Sequence, residues 1–119
     1  MDELLLEITD TLRHRLTTHG GEVAHLKVIA MTGDGFGVAN LVANRQAAEL
    51  SIPSGRQTNE AFDLIVNARV AMDPALLQEH VYRSVETVCR AHRARATFGK
   101  TQSFRPGRPQ PTHRYATAK

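Results

Sequence analysis

The sequence predicts a two-layer α+β domain: a mainly antiparallel four-stranded sheet with two helices on one face, in the order α-β-β-β-α-β. Three observations carry this. Two segments repeat apolar residues at helical spacing, four are short and β-branched with alternating polarity, and a length of 119 residues suits one compact core.

The first helix is predicted over residues 2–18. Leu5, Ile8, Leu12 and Leu16 share one face. Glu3, Glu7 and Asp10 precede Arg13, His14 and Arg15, the order that suits the helix dipole. Gly20 and Gly21 end the helix, since glycine accepts the left-handed backbone of a C-terminal cap. Strands follow over 22–31, 36–44 and 62–71. Gly33-Asp34-Gly35 supplies the positive φ angles of a hairpin between the first two, and the polar stretch 51–59 reads as a loop. Asp73 and Pro74 open the second helix as N-cap and first helical residue. Its apolar stripe is Leu77, Val81, Val85, Val88 and Cys89. A last strand is read over 96–104. Beyond it, Pro106, Pro109 and Pro111 exclude both helix and central strand, leaving a tail or a docked extended segment. The organisation is a single α+β domain over 1–104 and a Pro/Arg-rich extended segment over 105–119.

With 41% hydrophobic residues, four Phe, two Tyr and no Trp, the core is built from Leu, Val, Ile and Ala. The single Cys89 excludes an internal disulfide and fits a reducing compartment. No stretch approaches the ~18 apolar residues that cross a bilayer, and Met1-Asp2-Glu3 lacks the positive flank of a signal peptide. The expectation is a cytoplasmic protein with no membrane partner. Its net charge of +3 conceals a division: residues 1–81 carry six basic side chains against eleven acidic, and residues 82–119 carry nine against Glu86 alone.

Several motifs dissolve on inspection. Ala94 to Thr101 satisfies a relaxed phosphate-loop pattern, yet a helix precedes it and no helix can begin at Gln102-Ser103-Phe104-Arg105-Pro106, so the strand-loop-helix context is missing. Gly33-Asp34-Gly35-Phe36-Gly37 lies between two strands with the wrong spacing for a dinucleotide loop. Cys89 and His92 stand one helical turn apart, but two ligands do not make a zinc site, and His80 falls on the opposite side of the helix. A buried, inert thiol is the expected state of Cys89. No metal or cofactor is implied. Neither a nucleophile elbow nor a zinc-protease motif is present, and no catalytic residue is assigned.

The face of the sheet turned away from the helices is the first candidate surface. If Leu64, Val66, Ala68 and Val70 face the helices, alternation sends Ile65, Asn67 and Arg69 to the other side, with His25 and Lys27 from the first strand and Asn40 and Asn44 from the second. An ordinary solvated sheet face accounts for the same pattern. The second candidate is the basic end, Arg105, Arg108, His113 and Arg114, on a proline-stiffened segment that loses little entropy on docking. A frayed terminus accounts for it equally.

Ala24-His25-Leu26-Lys27-Val28, Ile65-Val66-Asn67-Ala68-Arg69 and the closing Phe104-Arg-Pro-Gly-Arg-Pro-Gln-Pro-Thr-His-Arg-Tyr115 together resemble the C-terminal region of CobW-type GTP-binding proteins, which serve metal-cofactor assembly. The resemblance covers roughly residues 21–115. It implies an accessory domain without the GTPase domain, its phosphate loop or its metal-binding cysteines. The positions it carries over are His25, Lys27, Asn67, Arg69, Arg105, Arg108, His113 and Arg114.

The expected function is therefore that of a non-enzymatic binding or accessory domain. It would use the polar sheet face and basic end for contact with a protein partner or for self-association as a homo-oligomer, in a CobW-type GTPase or metallochaperone system. One alternative is an anion- or nucleic-acid-binding protein acting through the C-terminal arginines, which the sparse aromatic residues disfavour. Another is a small enzyme with a pocket at His25, Asn67 and Arg69.

Overall fold

The computed structural model describes residues 1–32, 35–43, 47–53, 62–104 and 110–118, with side chains as far as residue 96 apart from those of Thr32 and Arg95. The elements are α1 (Asp2–Thr18), β1 (Glu22–Thr32), β2 (Gly35–Val42), β3 (Glu49–Ile52), β4 (Phe62–Ala71), α2 (Pro74–Ala91), β5 (Arg95–Phe104) and β6 (Gln110–Ala118). Strands β3-β2-β1-β4 form an antiparallel sheet, which β6 and then β5 extend past β4. Helix α1 packs over β1, β2 and β3, and α2 packs against α1, β5 and β6. This is the α+β class that the periodicities predict, two helical layers' worth of apolar side chains on one side of an antiparallel sheet.

Two strands go beyond the predicted four. β3 is an edge strand of four residues, three of them exposed, so it carries no alternation to read. A long-range bond holds it: the Ala48 N–H donates to Asp10 Oδ1 of α1 at 3.0 Å. β6 is the second half of the extended C-terminal segment, paired between β4 and β5. This overturns the expectation that the prolines exclude a central strand: only Pro111 falls in β6, as its second residue opposite Ser103, and the pairing with β4 starts after it at Thr112, while residues 105–109 lie outside the described residues.

Both helices end by the same device. After α1, Gly20 N–H donates to Thr17 O and Gly21 N–H to Leu16 O at 2.8 Å, with Gly20 at φ 82°. After α2, Arg93 N–H donates to Arg90 O and Ala94 N–H to Cys89 O at 2.7 Å, with Arg93 at φ 58°. These are paired Schellman bonds around a left-handed residue, supplied by glycine in one helix and by arginine in the other. Gly21 is also needed for space, because a Cβ there would stand 2.9 Å from Met72 Cε and 3.0 Å from the Leu16 carbonyl. At the start of α2 the Asp73 carboxylate accepts from the Leu76 N–H at 3.2 Å and Pro74 occupies the first turn, as predicted.

The core lies between the helices and the sheet. Leu4, Leu5, Ile8, Leu12 and Leu16 of α1 and Leu77, Val81, Val85, Val88 and Cys89 of α2 meet Leu26, Val28 and Ala30 of β1, Ala39 and Leu41 of β2, and Phe62, Leu64, Val66 and Ala68 of β4 in one cluster. Every second residue of β1 and β4 is thereby committed to the helices. The residues between them face away, and they form the surface described next.

Candidate interaction face on the open side of the sheet

Strand register assembles this face in rows. His25 stands between Val42 of β2 and Arg69 of β4, and Lys27 between Asn40 and Asn67. Four polar residues assigned from the sequence, His25, Lys27, Asn67 and Arg69, are thus two cross-strand neighbour pairs, with Asn40 beside them. Side chains directly opposite on an antiparallel pair lie ~4.5–5.5 Å apart at Cβ, so the pairs act as one patch. Arg69 is exposed and His25, Lys27, Asn40 and Asn67 are half-buried. Asn40 is braced by its Nδ2 donating to Ser51 Oγ, which itself donates to the Val38 carbonyl at 3.2 Å. The Asn40 Oδ1 is shielded from solvent without a hydrogen-bond partner. Asn44 lies outside the described residues.

His25, Asn67 and Arg69 line one depression of about 120 Å³, floored by Ala68. A wider groove of about 430 Å³ runs past Arg69 to the end of the sheet, between Glu22 and Val23 on one side and Val70 and Ala71 on the other. Arg69 borders both, so its guanidinium is the cation best placed to meet a ligand from solution on this face.

The next two rows are mainly apolar, with Asp63 in the second and Val38 of the first only 7% exposed. Ile29 pairs with Val38 and Ile65, and Val38 pairs with Ile52, giving a continuous row Ile52-Val38-Ile29-Ile65 across four strands. Met31 pairs with Phe36 on one side and with Asp63 on the other. Met31, Phe36, Val42 and Ile52 are 42%, 50%, 45% and 42% exposed, and all four belong to this face. Sequence reading missed this apolar half. The signal was present: Val28-Ile29-Ala30-Met31 and Leu64-Ile65-Val66 are unbroken apolar runs, where a strand with one wet face alternates.

The basic end divides. Arg105 and Arg108 lie outside the described residues. His113 and Arg114 fall on β6, in register with Val66 and Ile65 of β4, so their backbone adjoins the strand that carries Asn67 and Arg69.

On the helical side, His92 Nε2 meets Glu7 Oε2 at 3.0 Å and Cys89 is buried, with its thiol pushed up to about 11 by burial. Cys89 and His92 therefore point to different surroundings, the core and a contact with Glu7 of α1. Among the described residues no three His, Cys, Asp or Glu side chains gather as a metal set. The string from Ala94 to Thr101 runs into strand β5, the wrong context for a phosphate loop. His80 is buried on α2, which packs against α1. Its ring sits 4.4 Å from the His19 ring, and neither of its nitrogens has a hydrogen-bond partner. Burial lowers its pKa from 6.5, with His19, Arg15 and Arg83 pushing the same way and Glu79 opposing. No described helix is long and apolar enough to cross a membrane.

No protein-family model, curated protein or solved structure matches the chain. Functional argument therefore rests on the geometry of this face and on the sequence.

Proposed function

We propose that this chain is a non-enzymatic accessory module that engages protein through the open face of its sheet and its basic C-terminal segment, either with a partner or with itself. The observation that carries the reading is the face itself: cationic and amide side chains in adjacent rows beside four exposed large apolar side chains. Aromatic, aliphatic and arginine side chains in one patch are what protein interfaces concentrate. The depression at His25, Asn67 and Arg69, about 120 Å³, is by itself small for the enzymatic alternative, since small-molecule sites usually span ~300–1,000 Å³, and the 430 Å³ groove that shares Arg69 does not include His25 or Asn67. The likeness of the closing segment to CobW-type proteins makes a GTPase of that class the first partner to test, in a cytoplasmic setting.

The test is recovery of such a GTPase, and oligomeric state, for the full chain, for Lys27→Ala/Arg69→Ala and for Arg105→Ala/Arg108→Ala. A loss of ~10-fold or more in affinity for either variant is the expected result. Unchanged recovery and unchanged size in both would end the proposal. Polynucleotide binding that falls steeply with salt and vanishes in the Arg105/Arg108 variant would replace it with the nucleic-acid alternative.

A further inference from the structure

Helices α1 and α2 meet through histidine at both ends of their overlap. At one end the ring of His19, the residue that caps α1, lies 4.4 Å from the ring of His80 in the second turn of α2. At the other, His92, which caps α2, meets Glu7 in the second turn of α1 at 3.0 Å. His19 comes twelve residues after Glu7, and His92 twelve after His80, so the helices run antiparallel and the two contacts stand ~18 Å apart. We propose that this pair is an acid-released latch: proton uptake by His80 frees the His19/His80 end while the Glu7/His92 end holds, so that α1 lifts from α2 at its C-terminal turn. The latch belongs to the helical side and is independent of the open face.

Three observations put the weak end at His80. Its side chain is 5% exposed, and both ring nitrogens are buried without a hydrogen-bond partner. A neutral ring leaves one donor and one acceptor unmet there, whereas a protonated ring leaves two donors and a full charge unmet, which is far less favourable. The charges that act on it offer no counter-ion. From α1 come Arg15 and His19, from α2 Arg83, and the one acid, Glu79, is already held by Arg83 at 2.7 Å. His19 is itself committed, its Nδ1 donating to the Arg15 carbonyl at 2.8 Å. Finally, Ser84 Oγ, one turn further along α2, is also buried without a partner, so opening to solvent at this end would satisfy two polar side chains at once.

The sign follows from burial and the neighbouring cations, which hold His80 below its ordinary 6.5. The open state binds the proton more tightly than the shut one, so the latch is shut at pH 6.5 and above and is released only as pH falls further. The other end responds in the opposite sense, since protonation of His92 turns its contact with Glu7 into an ion pair. Release uncovers apolar side chains. Leu16 and Leu77, in the helical turns beside the His19/His80 contact, are 0% and 2% exposed while it is shut.

The test is amide hydrogen exchange at pH 7.0 and 5.0, corrected for intrinsic rates, on the full chain, on His80→Phe, which keeps a packed ring that takes no proton, and on Arg15→Gln. Circular dichroism checks that each is folded. In the wild type the amides of residues 17–21 and 77–81 are expected to lose protection at least ~5-fold on acidification, within the ~10-fold per pH unit that one proton supplies, while those of 6–9 and 89–92 keep theirs. The loss is expected to vanish in His80→Phe and to shrink in Arg15→Gln, which removes one neighbouring cation and keeps the histidine. Equal loss along both helices, the mark of general acid unfolding, would overturn the inference, as would a loss that survives in His80→Phe or no loss at residues 17–21 and 77–81. If His80→Phe does not fold, the other two chains decide: opening confined to the His80 end and smaller in Arg15→Gln sustains the latch, and any other pattern refutes it.

Discussion

Arg93 offers a sharp test of how local backbone geometry enters stability. It occupies the left-handed position after α2 that Gly20 occupies after α1, with the same pair of hydrogen bonds around it. A side chain in that conformation costs roughly 1–2 kcal/mol, because Cβ crowds the following carbonyl. Replacement by glycine relieves this but gives the unfolded chain more freedom, returning ~0.4–1 kcal/mol. Arg93→Gly is therefore expected to stabilise the fold by about 0.5–1 kcal/mol, a rise of about 2–5 °C in Tm for a chain of this size. The mirror experiment is Gly20→Ala. Nothing lies within 4 Å of a Cβ built there, so only conformation can oppose it, and it is expected to cost about the same amount. Urea unfolding followed by circular dichroism reads both. A destabilised Arg93→Gly beside a neutral Gly20→Ala would refute the shared-cap reasoning.

His80 gives a pH dependence with a definite sign. Its native pKa lies below 6.5, so between the two values the unfolded chain binds more protons, and stability is fully present above pH 6.5 and declines as pH falls. His80→Leu should flatten the wild-type slope between pH 7 and 5, and an unaltered slope would show that His80 binds its proton equally well in the folded and unfolded chain. Cys89, buried with a thiol pushed up to about 11, should be inert to a thiol reagent at pH 8 until denaturant unfolds α2. Rapid labelling of the native chain would contradict its packing. Asp10→Ala removes the acceptor of the Ala48 N–H and is expected to cost about 1–2 kcal/mol and to speed amide exchange in β3 selectively.

The parts of the fold set by local physics were legible in the sequence. Asp73-Pro74, the 3.6-residue stripes and Gly20-Gly21 each fix a helix end or face through interactions within a few residues, and the structure places both helices there. β4 has the predicted bounds for a similar reason, its alternation being complete on the buried side. β3 was not legible because its place depends on Asp10, thirty-eight residues away in sequence. β6 was not, because proline content says what a segment cannot donate, not which edge it can join. The polar half of the candidate face followed from alternation. Its apolar half was hidden by treating the runs at Val28-Ile29-Ala30-Met31 and Leu64-Ile65-Val66 as one-sided, when their lack of alternation puts apolar side chains on both faces.

The most direct measurement on that face is solvent accessibility of methyl groups, read by NMR with a soluble paramagnetic probe at 10 µM and at 1 mM protein, and again with a GTPase partner. If the open face binds protein, the methyls of Ile29, Ile52 and Ile65 are bleached by the probe in dilute solution and become protected as concentration rises or partner is added, while Leu76 stays bleached. Methyls on the sheet that remain equally accessible under every condition, with protection arising on α2 instead, would contradict the account.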